Sequence, residues 1–582
     1  MGGVTDPGQP GLEGSQAARV EALVWVIVGL AVALRAWQMA GGASLWLDEL
    51  DVARNLSQRT YAGLFRPLDY GQVAPPILLA VIKALWHLLG RTDWALRLLP
   101  FAAAVASVFL FRSLARQLLQ GGAVVLATML FALCVPMIQE AAQLKQYSSD
   151  LAIAIALTLV AFQALPADVS RRRLIAAGIA GFVAVFLSNT AVFMVTGLGA
   201  ALVWFTAAWR PGSGRRVLGM VVAPWAVGAG AATLLSLNAM SPETHVFMRS
   251  NWGIALAPLP PWSLADLTWP WVRLRDPFRL LFAYRLSSVF VILELLGFIA
   301  LWRAHRIRAA LLLGPFAVTA AAAVARQYPF ADRLVLFLAP AFIIGVAAGA
   351  AWIAAAAARR TTPALGAAVL VMACAPALER IVIEHPVYRL EETKRLYQWL
   401  GQHRQDGDAL FMSLGAVPGY EWYAGRVGAQ VADTMIGGCW PESPLRYMQG
   451  LDGLRGRSRA WVLLVRTNAD LMDATWRYLD SLGVLRDEIE LAPSHNYALT
   501  TPKACSRTTR TGCAGRMLRL RLYDLSDSTR LARWSADAFA PPLARAYPVG
   551  VLSCYYGPVA ARRRDAEGRL LPNPPPGPPL PR

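Results

Sequence analysis

Charged residues are scarce in this sequence. Only 16% of its 582 residues are Asp, Glu, Lys or Arg, whereas 56% are hydrophobic, and the mean hydropathy is +0.41. A typical soluble chain carries about a quarter charged residues, so the composition excludes a soluble enzyme. It also excludes disorder over most of the chain, because this much apolar surface has to be buried. We expect lipid to be the solvent for most of the protein.

Acidic residues are fewer than basic ones, with 37 against 56, which gives a formal net charge of +19. The basic residues nevertheless form no patch of the kind that a nucleic-acid-binding protein needs. They lie in small clusters between long apolar runs, which is how membrane proteins fix their orientation. The charge therefore indicates a membrane protein and no nucleic-acid partner.

Cysteine and histidine are rare, with six of each. No CxxC pair occurs, so no cofactor is certain and a divalent metal remains only possible; His245 in the long loop Asn238–Ser288 could support one. Two cysteines, Cys134 and Cys374, fall in apolar runs. The other four form an even set that permits disulfides in an oxidising compartment, with Cys505–Cys513 as the first pair to test. These four are Cys439, Cys505, Cys513 and Cys554.

Apolar runs long enough to span a membrane recur from Ala22 to Leu378. A spanning helix needs about 20 mostly apolar residues, and the sequence predicts about eleven spans on this basis. They are Ala22–Met39, Trp94–Phe111, Ala123–Ile138, Leu151–Leu165, Leu174–Leu187, Ala191–Trp209, Val217–Leu237, Val289–Trp302, Ala309–Ala325, Leu334–Ala358 and Pro363–Leu378.

Alternate gaps between these spans are basic, which predicts their side of the membrane. If the basic gaps face the cytoplasm, the N-terminal segment 1–21 is cytoplasmic and an odd number of spans leaves the C-terminus outside. The apolar segment Ala74–Leu89 is short and opens with Pro75-Pro76, so we interpret it as an interfacial helix on the outer side. The basic gaps contain Arg112 and Arg116; Arg171, Arg172 and Arg173; Arg210, Arg215 and Arg216; Arg303, Arg306 and Arg308; and Arg359 and Arg360.

After the membrane region, 22–380, the composition becomes that of a soluble domain. A helical pattern, Leu390–His403, has Glu391 and Glu392 in its first turn. Three strand candidates and a second helical pattern follow, which predicts a small extracytoplasmic α/β domain over 385–525. Residues 526–582 are expected to be largely disordered, ending in the Pro-rich stretch 573–582. The strand candidates are Ala409–Leu414, Trp461–Val465 and Met517–Tyr523, and the second helix is Leu471–Leu482.

Ionisable residues near the spans concentrate in three predicted outer segments, and such residues at a membrane are candidates for function. The first segment carries the adjacent acids Asp48 and Glu49, which could equally cap a helix. It ends with Gln72 shortly before Pro75-Pro76, and Arg97 then opens the second span.

The second segment lies after the third span. Its charged residues have helical offsets that could turn toward one cavity, although a snorkelling lysine and a capping aspartate would also explain them. Its candidates are Glu140, Lys145, Gln146, Tyr147 and Asp150.

The third segment carries Tyr328-Pro329 and Arg333 at the outer end of the tenth span. The planar guanidinium of arginine suits a phosphate, but Arg333 could instead snorkel or pair with Asp332.

In this order and spacing, the three segments resemble the GT-C class of membrane glycosyltransferases, and in particular the glycosyltransferase 39 and protein mannosyltransferase relatives. Relatives often have His-Pro-Pro where this chain has Ala74-Pro75-Pro76. The resemblance implies a polytopic GT-C-like helical domain in the cell (inner) membrane and a sugar donor linked to polyprenyl phosphate. The acceptor would be a glycan, a lipid or a protein.

The resemblance also implies roles for individual residues. Asp48 would be the general base, with Glu49 or Glu140 orienting the acceptor or the base, and Arg333, Lys145 and Arg97 would stabilise the departing lipid phosphate. Three other functions remain open. The first is a polysaccharide polymerase or ligase that uses lipid-linked oligosaccharide, the second a transporter or flippase for a lipid-linked sugar, and the third a scaffolding protein with a degenerate site. The remaining substrate-binding candidates are Gln72, Gln146, Tyr147, Asp150 and Tyr328.

Overall fold

The computed structural model describes residues 10–166, 168–209, 214–281, 286–360, 362–383, 387–438, 444–467, 469–491 and 518–540. The chain divides into two compact units. The helical unit comprises Met1–Gly41, Ala74–Leu237 and Trp252–Pro386, and the α/β unit comprises Gly42–Val73, Asn238–Asn251 and Val387–Arg582. The four cysteines considered for disulfides and the Pro-rich stretch lie outside the described residues. Cys134 and Cys374 are buried free thiols.

Most helices of the helical unit fall where the apolar runs predict them, so the polytopic α-helical fold class is confirmed. Two further helices of more than ten residues lie in the predicted loop Asn238–Ser288: Pro242–Trp252, which crosses the unit boundary, and Trp269–Leu281. The labelled helices are α1 (Pro10–Ala40), α3 (Pro76–Leu88), α4 (Asp93–Leu118), α5 (Gly122–Ala132), α6 (Val135–Glu140), α7 (Tyr147–Gln163), α8 (Arg171–Leu187), α9 (Ala191–Trp209), α10 (Gly214–Asn238), α11 (Trp269–Leu281), α12 (Ser287–Ala304), α13 (Arg306–Val324), α14 (Ala339–Arg360) and α15 (Pro363–Ile383), while α2 (Leu47–Gln58) belongs to the other unit.

Seven helices in the described part of the chain are long and apolar enough to cross a membrane. The protein is therefore a multi-pass membrane protein. Several helices that we predicted as spans are shorter, among them Gly122–Ala132 and Tyr147–Gln163, so the count of about eleven stays a prediction. The seven are Ala17–Ala40, Asp93–Leu118, Gly214–Asn238, Ser287–Ala304, Arg306–Val324, Asp332–Arg359 and Pro363–Ile383.

The prediction of one continuous span over Ala123–Ile138 is wrong. Helix α5 ends at Ala132 and α6 begins at Val135. Pro136 lacks the backbone N–H that a continuous helix would bond to the carbonyl oxygen of Ala132, and its ring would clash with that carbonyl. The break is supported by Arg35 of α1, a fully buried residue. Its guanidinium donates to the carbonyl oxygen of Phe131 at 3.3 Å and lies 5.4 Å from the Phe131 ring. Irregular backbone at membrane depth needs protein partners of this kind.

Glycines allow the closest helix contacts in this unit. A Cβ atom on Gly297 of α12 would lie 1.8 Å from the carbonyl oxygen of Gly345 in α14, and one on Gly349 would lie 1.9 Å from the carbonyl oxygen of Leu293. Small residues let transmembrane helices approach until their backbones touch. The sequence Gly-x-x-x-Gly of α14 therefore determines how α12 packs on it.

Two of the basic gaps lie at one end of the helical unit. Arg112 and Arg116, near the end of α4, both pair with Glu21 at the start of the apolar part of α1. Arg308, at the start of α13, donates to the carbonyl oxygen of Gln117 at 2.6 Å. This agrees with the alternation of basic gaps from which their common side was predicted.

The α/β unit contains a five-stranded sheet in the order β2-β1-β3-β5-β4, which confirms the predicted α/β domain. Strands β2, β1 and β3 are parallel, with Leu410 opposite Trp461, and β5 runs antiparallel to β3 and β4. The buried side chains of Phe411, Val462 and Tyr447 lie in its core. The elements are α16 (Thr393–His403), β1 (Ala409–Met412), α17 (Val417–Tyr423), β2 (Asp433–Ile436), α18 (Pro444–Gly450), β3 (Ala460–Leu464), α19 (Ala469–Leu482), β4 (Val484–Leu491), β5 (Leu518–Asp524) and α20 (Ser528–Arg533).

Strands β2 and β4 were missed from the sequence. Strand β4 is a charged strand at the edge of the sheet, without the apolar run that marks a buried strand. It is stabilised by ion pairs with β5, between Arg519 and Glu490 at 2.7 Å and between Arg521 and Glu488 at 2.9 Å. Beyond the predicted domain end at residue 525, Leu531 and Phe539 still pack against the core.

Candidate functional site

The second polar segment forms a compact turn between α6 and α7 in the helical unit. The hydroxyl of Ser148 donates to the carbonyl oxygen of Glu140 at 2.9 Å, which brings the two ends of the turn together. Glu140 and Tyr147 are buried there, while Lys145 and Gln146 are half-buried. The turn therefore places Glu140 and Tyr147 inside the unit and leaves Lys145 and Gln146 partly accessible.

Asp150 lies in the first turn of α7 and is only 4% exposed. Its Oδ1 accepts a hydrogen bond from the hydroxyl of Ser188 at 2.5 Å, and that hydroxyl lies 3.0 Å from the hydroxyl of Thr190. Ser188 and Thr190 connect α8 to α9, so Asp150 holds this connection against α7. The sequence analysis missed both hydroxyls, although three polar residues between two apolar runs were a visible signal.

The third segment contacts the second. The guanidinium of Arg333 lies 5.4 Å from the centre of the Tyr147 ring, a cation–π contact. Tyr328 donates its hydroxyl to the carbonyl oxygen of Leu334 at 2.8 Å, and its ring packs 4.7 Å from that of Phe193. Burial raises the pKa of Tyr328 well above its ordinary value, and the charge of Asp150 adds to the shift. Tyr328 is therefore a neutral hydrogen-bond donor at physiological pH.

These contacts join two segments that are far apart in the sequence. Arg97 is buried near the start of α4 in the same unit. The remaining candidates, Asp48, Glu49 and Gln72, belong to the α/β unit. The candidate residues are therefore found in two groups, one in each unit.

In the α/β unit, α2 begins at Leu47 and places Asp48 and Glu49 in its first turn. Glu49 is fully buried, and its Oε2 accepts the backbone N–H of Trp46 at 3.3 Å. This contact stabilises the start of a helix, as in a capping box. Asp48 is half-buried. Helix capping thus describes Glu49, and Asp48 is the carboxylate of the pair that solvent can reach.

The end of the same loop is tightly folded. Arg59 pairs with Asp69 at 2.6 Å, and the guanidinium of Arg54 lies 3.8 Å from the centre of the Tyr70 ring. Burial raises the pKa of Tyr70 to about 12, although the charge of Arg54 opposes the shift. Gln72 is buried and donates to the carbonyl oxygen of Tyr70 at 3.4 Å. The side chain of Gln72 therefore helps to close the turn that precedes Pro75-Pro76.

A prediction about the C-terminal domain is wrong at its first helix. Helix α16 begins at Thr393, so Glu391 and Glu392 precede it instead of forming its first turn. Their carboxylates accept backbone N–H groups at the start of α2 and just before it, from Leu47 at 3.1 Å and from Ser44 at 3.2 Å. No local signal in the sequence indicates these partners, because they lie 344 and 348 residues away.

Among the described residues, no group of three or more His, Cys, Asp or Glu side chains could hold a metal ion. His245 is exposed on the helix Pro242–Trp252.

No family model and no curated protein sequence matches the chain. Solved structures similar to it include ArnT from Cupriavidus metallidurans in the apo state, with 12% identity over 90% of this chain and 99% of that one at a TM-score of 0.44. The same protein bound to undecaprenyl phosphate gives 12% identity, coverage of 87% and 98%, and a TM-score of 0.40. A third similar structure is archaeal oligosaccharyltransferase AglB from Archaeoglobus fulgidus, in complex with an inhibitory peptide and a dolichol-phosphate. It has 11% identity over 80% of this chain and 71% of that one, at a TM-score of 0.42. We therefore infer the function from the residues of this chain.

Proposed function

We propose that the protein is a GT-C-like membrane glycosyltransferase. It transfers a hexose or a pentose from a polyprenyl-phosphate donor to a hydroxyl group of a glycan, lipid or protein acceptor on the extracytoplasmic side of the cell membrane. The observation that carries the proposal is the contact between the second and third polar segments, in which Arg333 lies over Tyr147, and Tyr328 lies close enough to Asp150 to feel its charge.

This group of residues suits a phosphorylated lipid. Arg333 is half-buried, so its planar guanidinium can donate to phosphate oxygens in a medium of lower dielectric than water. Lys145 is also half-buried on the adjoining turn. The apolar helices of the same unit offer lipid-facing surface for an isoprenoid chain. A phosphate-binding cation at the end of a spanning bundle is what a donor embedded in the bilayer requires.

The reaction is a single displacement. The acceptor oxygen attacks the anomeric carbon, the bond between that carbon and the phosphate oxygen breaks, and the electron pair leaves with the lipid phosphate. Asp48 takes the proton of the attacking hydroxyl, a role for which its partial exposure suits it better than the capping residue Glu49. Arg333, Lys145 and Arg97 stabilise the negative charge that develops on the leaving phosphate. The product has inverted anomeric configuration.

Sidedness follows from the basic gaps. Arg112, Arg116 and Arg308 lie at one end of the helical unit, and Lys/Arg-rich loops face the cytoplasm. The N-terminus is then cytoplasmic and the C-terminal α/β domain extracytoplasmic.

The test is turnover of a donor panel by the purified full chain. Undecaprenyl phosphate linked to radiolabelled glucose, mannose, galactose or xylose is offered with and without a membrane extract as the acceptor source, and each reaction is repeated with a chelator. We expect one donor to give free undecaprenyl phosphate and a labelled product, and only when the acceptor is present. The wild type should give this result, and Asp48→Asn should not. Transbilayer movement of an intact donor without phosphate release would instead establish a flippase.

A further inference from the structure

The backbone before helix α2 is held by side chains of the C-terminal domain, within the α/β unit. The N–H of Leu45 donates to the hydroxyl of Tyr423 at 2.8 Å. The N–H groups of Ser44 and Leu47 donate to the carboxylates of Glu392 and Glu391. In return, the N–H of Lys394 donates to the hydroxyl of Ser44 at 3.2 Å. Four hydrogen bonds thus fix three of the four residues that lead directly into Asp48.

One of these bonds, from Leu47, satisfies a donor that the helix itself cannot. The first N–H groups of an α-helix have no partner within it, and its N-terminus favours a nearby negative charge. Leu47 is the first residue of α2, and its N–H is taken by Glu391. The domain therefore supplies an N-terminal cap from a distant part of the chain, and the direction in which α2 presents Asp48 depends on it.

Arg466 completes the contact. It forms an ion pair with Glu391, and its guanidinium lies 5.7 Å from the centre of the Trp46 ring. Arg466 lies two residues beyond the end of β3 and has a positive φ of 55°, a conformation that is uncommon for a residue other than glycine and needs support from its surroundings. Arg466, with its strained backbone, is thus a residue that contacts the loop.

The loop contacts a residue just beyond the carboxyl end of β3, through Arg466 and Trp46. Strand β1 pairs in parallel with β2 on one side and with β3 on the other, so the chain order reverses beside β1. In open α/β sheets, ligands bind outside the carboxyl ends of the strands at such a reversal. Arg466, which lies just beyond the end of β3, contacts the loop through Trp46. Tyr423, which ends the helix between β1 and β2, contacts it through Leu45.

We infer that the C-terminal domain holds the chain's own loop 44–47 against the carboxyl side of its parallel strands, the side on which open α/β sheets bind ligands, and that Glu391, Glu392 and Tyr423 are positioning residues for Asp48. This inference rests on the proposed function, because it gives Asp48 the role of base. On this account the domain contributes to the chemical step and not to donor affinity.

The experiment compares Tyr423→Phe with Tyr420→Phe in the full chain. Both variants delete one hydroxyl from α17, but Tyr420 bonds to the backbone of Val431 and not to the loop. Hydrogen exchange of a peptide covering residues 44–50, measured without substrate, reports whether the loop is held. Turnover of the donor panel then reports kcat and KM. We expect exchange about tenfold faster and kcat about tenfold lower for Tyr423→Phe, with KM for the donor unchanged, and wild-type values for Tyr420→Phe.

A second pair of variants separates positioning from general destabilisation. Glu391→Gln keeps an oxygen that can accept from Leu47, so it should retain more kcat than Glu391→Ala. Exchange or kcat equal to wild type in Tyr423→Phe would overturn the inference, and so would equal losses in the two Glu391 variants. A wild-type protein that turns over no donor would contradict the proposed function instead, and the exchange result would still show whether the domain holds the loop.

Discussion

The two units hold their candidate residues in different ways. In the α/β unit, the segment bearing Asp48 and Glu49 is fixed mainly through its backbone N–H groups, which donate to Glu391, Glu392 and Tyr423. In the helical unit, the candidates are held mainly through side chains, such as the carboxylate of Asp150 on the hydroxyl of Ser188. A loop can thus be made rigid by a domain outside the membrane, whereas residues at the ends of spans depend on neighbouring helices for their position.

The largest expected effect concerns the two carboxylates of α2. Asp48→Asn removes the proposed base and should lower kcat by a factor of about 10²–10⁴, the usual contribution of general base catalysis. Glu49→Gln keeps an oxygen that can accept from Trp46 and should cost much less. The measurement is steady-state turnover at saturating donor for both variants. Comparable losses in the two would contradict the division of roles between Asp48 and Glu49.

The next largest effect concerns the cation of the helical unit. Arg333→Gln should reduce kcat/KM about 100-fold, since removing one donor to a developing anion typically costs this much. Arg333→Lys should recover part of the loss, because it restores the charge without the planar fork. Arg326→Gln is the matched control, being an exposed arginine in the same loop. If Arg326→Gln lowers turnover as much as Arg333→Gln, the phosphate is not bound where we propose.

We expect Asp150 to differ from a catalytic carboxylate, because its hydrogen bond should contribute to the stability of the protein. Ser188→Ala deletes the hydroxyl that donates to the buried carboxylate and should lower the free energy of unfolding by about 1–3 kcal/mol. Thermal unfolding in detergent measures it. The control is Ser113→Ala, which deletes an exposed hydroxyl that donates to a carbonyl of its own helix. Equal unfolding temperatures for the two variants would show that Asp150 does not depend on Ser188.

The smallest effect is a pH dependence in the α/β unit. Burial opposes ionisation of Asp408, but donors from Arg459, Gln405 and Trp461 outweigh it and lower the pKa of Asp408 below its ordinary value. The stabilisation is therefore present above the unfolded pKa, near 4, and is lost as pH falls through the lower folded value. Asp408→Asn should cost about 1–2 kcal/mol at pH 7 and progressively less as pH falls through the folded pKa.

The measurement is unfolding monitored by tryptophan fluorescence at several pH values. Asp406→Asn serves as the control, because Asp406 is a fully exposed aspartate two positions away. A cost for Asp408→Asn that stays constant from pH 7 to pH 2 would rule out the linkage.

The helices of the membrane region were predictable because hydrophobic length is a local property. The end of α5 at Ala132 was not predicted, although Pro136 signalled it, because the apolar run continues through the break. Strand β4 was missed because its charged residues, two of which pair with Arg519 and Arg521, are typical of a surface loop when only the sequence is considered.

The site was predictable in its residue types more than in its contacts. Adjacent acids at an outer loop pointed to Asp48 and Glu49, but only the structure distinguishes the capping residue from the accessible one. The partners of the loop, Glu391 and Tyr423, could not be found from the sequence because they lie 344 and 378 residues away.

The proposed reaction requires Asp48, Lys145 and Arg333 to act on the same side of the membrane. Single cysteines placed at positions 48, 145 and 333 are labelled in intact cells with a membrane-impermeant maleimide, with a cysteine at position 172 in a basic gap as the cytoplasmic control. The account predicts labelling of the first three from outside and of the control only after permeabilisation. Labelling of position 48 on one side of the bilayer and of 145 or 333 on the other would contradict it.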